Sequence, residues 1–181
     1  MQNNFNNAAG DAEQILKDLE VSYSREKDGT LVVDDDIDLS RRGLTRLPDL
    51  SRVIVKGDFA CRHNQLESLE GTPQTIEGSL YVQDNLLTSL KGGPQSVGDR
   101  VYCYKNRLSD LKHAPQKFTV LKSDLGHFSS PEEIPEQLRT SPETEVRRAK
   151  EACRQLAENI LHATVLQRPI TPLKTLKFRT P

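Results

Sequence analysis

The chain has 181 residues, of which 35% are hydrophobic and 28% are charged, and its formal net charge at pH 7 is −1. This length allows one domain with a core or one capped repeat array, and the small net charge argues against a protein dedicated to nucleic acid by bulk charge. No apolar run approaches the length of a membrane span, and the first residues lack the basic and apolar regions of a secretory signal. We therefore expect a cytoplasmic protein without membrane contact, while secretion without a cleavable signal stays open.

The first 36 residues predict a helix followed by a β-hairpin. From about Ala8 to Glu20 the apolar side chains have helical spacing. The pair Asp28 and Gly29 suits the tight turn of a hairpin. We expect residues 1–36 to form an N-terminal helix and hairpin cap, because the open end of a repeat array needs a polar cover. A partner-binding helix is the alternative for the first element.

A run of acidic residues follows the hairpin and raises the hypothesis of a calcium site. It consists of Asp34, Asp35, Asp36 and Asp38. A calcium loop of the EF-hand kind needs a Gly at its sharp turn and a glutamate further on, and neither stands at the required offset. We therefore expect no metal here, and we expect carboxylates that face solvent or a partner.

Residues 37–128 repeat one frame of apolar-x-apolar-x-x-Asn-x-Leu-x-x-Leu. Its copies read FACRHNQLESL from Phe59, LYVQDNLLTSL from Leu80 and VYCYKNRLSDL from Val101, with a looser IDLSRRGLTRL from Ile37. The alternating apolar positions have the strand period, and the Asn can bond backbone groups that the following bend leaves unpaired. No copy can bury its apolar face alone, so the copies must stack into a solenoid.

The segments between the copies, such as EGTPQTIEGS and KGGPQSVGDR, contain Gly and Pro that prevent a regular helix. With a period of about 21 residues, the whole pattern resembles the leucine-rich repeats of short bacterial and bacteriophage proteins. The resemblance implies an α/β solenoid of four to five repeats, with a parallel β-sheet on its concave face and turns or extended segments on its convex side. It also implies a binding surface and no catalyst.

The end of the array and the C-terminal region carry weaker signals. A fifth, compressed strand is expected around Phe118 to Leu121, with Ser123 at the Asn position and Leu125 and Phe128 closing the core, while Pro115 allows a competing alignment. Residues 129–166 predict a C-terminal helical cap, and residues 167–181 predict an extended basic tail.

Two helix starts support this C-terminal cap. Each has a Ser followed by Pro and acidic residues, at Ser130 and at Ser141. The second helix would carry an apolar stripe of Val146, Ala149, Cys153, Leu156 and Ile160.

The cysteines fit reduced thiols. Cys61 and Cys103 stand at inward positions of the repeat frame, whereas Cys153 falls on the predicted helix. An odd cysteine count with two burials does not fit a disulfide framework, and a metal ligand or reactive thiol is the alternative.

Residues at the outward strand positions have no role in the core, so their identities indicate the character of the surface. Stacking in register would form three rows: Asp38, Ala60, Tyr81 and Tyr102; Ser40, Arg62, Gln83 and Tyr104; Arg41, His63, Asp84 and Lys105. Three of the four tyrosines of the chain fall in these rows, and Tyr is favoured at interfaces. Tyrosines that merely suit a strand are the alternative. The predicted partner-binding residues are Asp38, Arg62, Tyr81, Gln83, Tyr102 and Tyr104.

The function predicted from these features is a non-enzymatic protein–protein interaction module that binds a folded partner through the concave face. A phage or bacterial accessory protein that binds and inhibits a host protein would fit. No catalytic residues, cofactor motif or metal site are expected, and His63 should face solvent. One alternative is a nucleic-acid-associated protein that uses the basic C-terminal helix and tail, although no basic patch with interleaved aromatics supports it. Another is the targeting domain of a secreted effector.

Overall fold

A computed structural model of the chain describes residues 12–140, residue 150 and residues 153–156. The chain divides into two compact units, Met1–Ser141 and Pro142–Pro181. The first unit is a β-solenoid of about four turns with parallel strands and few helices. No helix in the described part of the chain combines the length and the apolar character that crossing a membrane requires.

The solenoid opens with a helix and an antiparallel hairpin. Helix α1 spans Ala12–Asp18, strand β1 spans Tyr23–Arg25 and strand β2 spans Leu31–Val33. Two buried side chains of α1, Ile15 and Leu16, belong to the hydrophobic core. Thus the helical periodicity and the turn residues of the sequence produced the elements that they predicted.

Each turn of the solenoid contributes one short strand to each of two sheets. The five-stranded sheet has the order β1-β2-β4-β6-β8, and the six-stranded sheet has the order β11-β10-β9-β7-β5-β3. The remaining strands are β3 Ile37–Asp38, β4 Val53–Val55, β5 Phe59–Ala60, β6 Thr75–Ile76, β7 Leu80–Tyr81, β8 Ser96–Val97, β9 Arg100–Tyr102, β10 Val120–Ser123 and β11 Gly126–Phe128. From β3 to β10 the six-stranded sheet is parallel.

The register of the six-stranded sheet follows the repeat frame. Ile37, Phe59, Leu80, Val101 and Leu121 stand opposite one another, at spacings of 22, 21, 21 and 20 residues. The outward row Asp38, Ala60, Tyr81 and Tyr102 is aligned as the sequence predicted. A fifth, compressed strand is present, but it occupies Val120–Ser123 and not Phe118 to Leu121 as expected, because Leu121 pairs with Val101.

The five-stranded sheet was not expected. Turns or extended segments were predicted between the copies, but Val53–Val55, Thr75–Ile76 and Ser96–Val97 pair in parallel. Each of these segments alternates buried and partly buried side chains, and this alternation lets the inner side chains join the same core as the other sheet. Gly and Pro near them prevent helix formation but leave room for strands of two or three residues.

Glycine allows successive turns of the solenoid to lie close together at the corner between the two strands. A Cβ added at Gly78 would come within 2.6 Å of the carbonyl oxygen of Gly57 in the preceding turn. Any larger residue there would push the turns apart, and this explains why glycine stands between Glu77 and Ser79.

The core lies between the two sheets. Phe59, Leu80, Val101 and Leu121 are buried in the row that enters each strand, and Cys61, Val82 and Cys103 are buried in the next inward row. Full burial of one such apolar side chain contributes roughly 1.5–3 kcal/mol, so the stacked rows supply the main stabilising term. The predicted burial of Cys61 and Cys103 is confirmed, and both are free thiols.

A buried asparagine links each turn to the one before it. Asn85 donates its amide hydrogens to the carbonyl oxygens of Cys61 at 3.0 Å and Val82 at 3.1 Å, and its oxygen accepts the N–H of Leu66 at 3.1 Å. Asn64 and Asn106 bond equivalent groups one turn earlier and one turn later. The predicted role of the repeated asparagine, as a partner for backbone groups at the bend, is therefore confirmed.

The far end of the array reverses direction. Strand β11 pairs with β10 antiparallel, and this places Ser123 opposite Gly126. Ser123 was expected at the Asn position, but the register aligns it with Cys103 as an inward strand residue. Its hydroxyl donates to the carbonyl oxygen of Gly126 and accepts the N–H of Leu125, because the hairpin replaces a further repeat turn.

The C-terminal elements are short where the structure describes them. A 3-10 helix spans Pro131–Glu133, and helix α2 spans Glu136–Arg139. The longer helix predicted from Ser141 lies mostly outside the described residues, of which Lys150 and Cys153–Leu156 are helical. Cys153 and Leu156, two members of its predicted apolar stripe, are exposed. The predicted tail over residues 167–181 lies outside the described residues.

Replacing the central asparagine tests the linkage between turns. Asn85→Ala leaves one buried N–H and two buried carbonyl groups with fewer partners, so we expect the free energy of unfolding to fall by about 3 kcal/mol. Urea denaturation measures this change. Gln65→Ala removes an exposed amide and should cost under about 0.5 kcal/mol. Equal losses in the two variants would contradict the role of Asn85.

The three thiols should differ in reactivity. Burial raises the pKa of the Cys61 thiol, and burial together with the carboxylate of Asp124 raises the pKa of the Cys103 thiol to about 12. The thiolate is the reactive form, so both should resist a disulfide reagent near neutral pH, whereas the exposed Cys153 should react. A spectrophotometric thiol titration should give one fast equivalent in the folded protein and three in denaturant. Three fast equivalents without denaturant would contradict the buried positions.

Candidate functional site

The candidate site is the outward surface of the six-stranded sheet. We call it the tyrosine face, and it comprises Asp38, Ala60, Arg62, Tyr81, Gln83, Tyr102, Tyr104 and Lys122. Side chains alternate along a strand, so the residues between the buried Ile37, Phe59, Leu80 and Val101 rows must point away from the core. The backbone ladder from β3 to β10 then fixes their order across the face.

Three tyrosines occupy the centre of the face and contact one another. The rings of Tyr81 and Tyr102 stack with their centroids 5.0 Å apart and their planes within 10°. Tyr104 meets Tyr102 edge to face, with 6.4 Å between centroids. Such pairs contribute about 0.5–1.5 kcal/mol each beyond burial, so these rings are held in place before any partner arrives.

Basic side chains flank the tyrosines on both sides. The guanidinium carbon of Arg62 lies 5.8 Å from the centroid of the Tyr81 ring, and the Lys122 ammonium lies 5.6 Å from that of Tyr102. Hydrogen bonding to Tyr102 and the carboxylate of Asp99 raise the pKa of Arg100, which begins the same strand as Tyr102. The centre of the face is therefore aromatic, with fixed positive charge around it.

A cleft opens where the tyrosine row is interrupted by a small residue. It has a volume of about 240 Å³ and lies over Ala60, between Asp38 on one strand and Tyr81 on the other. Asp36, Asp58 and Arg62 complete its walls together with Ile37. The cleft exists because Ala60 stands in the row where the next two turns carry tyrosine.

The carboxylates beside the cleft are oriented by backbone hydrogen bonds. Asp36 accepts the N–H of Asp58, and Asp58 accepts the N–H of Ser79, each at 2.7 Å. Burial raises the pKa of Asp38, but hydrogen bonding by Ser40 and the positive charges of Arg62 and Arg42 outweigh it, so that pKa lies below its usual value. The cleft thus presents the ionised carboxylate of Asp38 at neutral pH.

Gln83 lies within the tyrosine face but is covered by its neighbours. It is only 5% exposed, and its Oε1 atom is buried without a hydrogen-bond donor. A buried amide oxygen without a hydrogen-bond donor costs about 1–3 kcal/mol of stability.

A row of left-handed residues borders the face where the strands end. Arg41, His63, Asp84 and Lys105 have φ between 53° and 58°, although none is glycine. Asp84 lies 3.3 Å from the ammonium of Lys105 and 3.7 Å from His63 Nδ1. The sequence placed these four side chains in one row, but it gave no sign of their backbone conformation.

The structure also adds residues to the site that the sequence did not single out. Lys122 extends the first tyrosine row because β10 pairs with β9, and this pairing needed the register of the fifth strand. The edge of the face also includes Arg100, Asp36 and Asp58. Hydrogen bonds connect Asp36 to Asp58, Asp58 to Ser79 and Ser79 to Arg100 in successive turns. A charged residue directly before the first inward residue in three of the repeats, at Asp36, Asp58 and Arg100, was the signal available in the sequence.

A larger groove of about 500 Å³ lies away from the tyrosine face, along the loops that follow the Leu-x-x-Leu segments. The carboxylate of Asp49 on its wall accepts the N–H and the hydroxyl of Ser51. No group of three His, Cys, Asp or Glu side chains that could hold a metal occurs within the part of the chain that the structure describes. Comparisons of the chain with protein-family models, with curated proteins and with solved structures give no match.

The three tyrosines should contribute little to the stability of the fold. Replacing Tyr81, Tyr102 and Tyr104 together by Ala removes two ring contacts but no core side chain, so the free energy of unfolding should fall by only about 2 kcal/mol. Urea denaturation is the measurement, with Leu87→Ala as the comparison, because a single buried Leu should cost about 2–5 kcal/mol. A triple variant that does not fold would show that the tyrosines belong to the core.

Proposed function

We propose that this protein is a non-enzymatic interaction module that binds a folded protein partner through the tyrosine face. The observation that carries this proposal is the cluster of Tyr81, Tyr102 and Tyr104, which are partly exposed, in mutual contact and flanked by cations. Tyr and Arg are the residues that most often dominate the binding energy of protein interfaces.

The rigidity of the cluster supports this proposal. Binding loses affinity when long side chains must be immobilised, at about 0.5–1.5 kcal/mol for each one. Stacking already restricts the tyrosine rings, and the parallel ladder beneath them fixes their spacing. A partner that covers the face would therefore gain contact area with little loss of side-chain entropy.

We further propose that the repeats are leucine-rich repeats of the short bacterial and bacteriophage kind. The asparagines at the bends and the strand-forming alternation support this assignment. The inert chemistry of the array agrees with a binding role, since burial raises the pKa values of both thiols in the array. Free, buried cysteines also suit the reducing conditions of a cytoplasm.

Affinity capture from a native lysate tests the function. The full chain should retain one or more proteins specifically, and the triple variant with Tyr81, Tyr102 and Tyr104 changed to Ala should lose at least about 90% of them, because its hot-spot rings are gone. Quantitative mass spectrometry of the retained proteins is the measurement.

A matched variant controls for general damage. Leu108→Ala removes a partly buried side chain of the repeat outside the tyrosine face and should retain the same proteins as the unchanged chain. If the triple variant also retains them unchanged, the tyrosine face is not the binding surface. Turnover of a substrate by the purified chain would contradict the non-enzymatic part of the proposal.

A further inference from the structure

Carboxylates predominate at one end of the tyrosine-face rows and cations at the other, with Arg62 also at the acidic end and Asp99 beside Arg100 at the basic end. One corner, at the β3 and β5 end, holds Asp36, Asp38 and Asp58, which precede or follow Ile37 and Phe59. The other corner, at the β9 and β10 end, holds Arg100 and Lys122. The tyrosines lie between them.

These corners cannot neutralise each other within one molecule. Four strand spacings of about 4.8 Å separate β3 from β10, which makes roughly 19 Å, and this exceeds the Debye length of about 8 Å at physiological salt. Arg62 and Arg42 only partly balance the three carboxylates of the acidic end. A partner that complements both ends of the face presents positive charge opposite Asp38 and negative charge opposite Lys122, with an aromatic surface between.

The tyrosine face of a second copy of the chain, rotated by 180°, presents this order of charges. A two-fold axis parallel to the strands and passing over β7 exchanges the β3 end of one copy with the β10 end of the other. Asp38 then faces Lys122 of the second copy, and Asp58 faces Arg100. Both kinds of pair occur twice, because a two-fold interface uses the same patch on each subunit.

The same rotation also matches the shapes of the two surfaces. Strand β5 of one copy meets β9 of the other, so the small Ala60 lies opposite Tyr102. The cleft of about 240 Å³ over Ala60 can then receive this ring. Arg62 faces the second copy's Tyr104, and this gives a cation–π contact across the interface.

We propose that the partner of the tyrosine face is a second copy of this chain, in a two-fold dimer in which Asp38 pairs with Lys122 and Tyr102 enters the cleft over Ala60. This inference rests on the proposed function, because it names the occupant of the same surface. A face roughly 19 Å across is at the small end of specific interfaces, so the dimer should dissociate in the micromolar range.

Sedimentation of the full chain over a concentration series tests the dimer. Asp38→Lys and Lys122→Glu should each weaken it by about tenfold or more, because each places like charges in contact at two positions. The double variant reverses both partners of each Asp38–Lys122 pair and leaves the Asp58–Arg100 pairs as they are, so it should restore dimerisation to near the original level. Ala60→Leu fills the cleft without changing charge and should weaken the dimer as well.

Charge-matched variants away from the face provide the control. Glu67→Lys and Lys91→Glu change exposed residues on the loops and should leave the dimer unchanged. A chain that stays monomeric throughout the series, or a dimer that the double variant does not restore, would overturn the proposal. If the chain stays monomeric but still captures proteins in a tyrosine-dependent manner, the proposed function stands with a different partner. If the chain neither dimerises nor captures proteins through its tyrosines, both proposals are wrong.

Discussion

The hydrogen bonding of each solenoid turn to its neighbour is the interaction on which the rest of this structure depends. Strands of only two or three residues cannot be stable singly, and each finds its backbone partners in the turns before and after it. The bends between strands would leave further buried carbonyl and N–H groups unpaired, and Asn64, Asn85 and Asn106 satisfy them. Glycine at the corners then permits the close approach that these bonds require.

This stacking converts a sequence repeat into an ordered surface. Every outward residue of the six-stranded sheet is held one strand spacing from its equivalent in the next turn, so differences between repeats become a pattern across the face. Asp38 in the first turn, Tyr81 and Tyr102 in the middle and Lys122 in the last turn thus form one row, with Arg62 beside its acidic end. The core beneath is nearly uniform, and variation among the repeats is concentrated on the outward face.

Sequence reasoning reached the inward rows, the asparagine contacts and the first outward row because these features depend only on periodicity and local chemistry. It missed the five-stranded sheet, since Val53–Val55, Thr75–Ile76 and Ser96–Val97 are too short for a strand signal to be recognised singly. It also put Ser123 at the wrong position, because the 20-residue spacing of the last turn and the hairpin that follows break the repeat. The left-handed backbone of His63 and Asp84 had no signal, since neither residue is glycine.

By itself, the sequence determined that the middle of the chain must coil, which side chains fill its core and which ones face outward, because alternation and a fixed period leave one arrangement that buries every apolar face. Only the tertiary structure decided the register of the last turn and the contacts that the outward side chains make within their rows. The stacking of Tyr81 on Tyr102 and the opening over Ala60 are such contacts, and the addition of Lys122 to the same row depends on the last turn. The repeat frame does not specify the register of that turn, because its 20-residue spacing and the hairpin after it break the repeat.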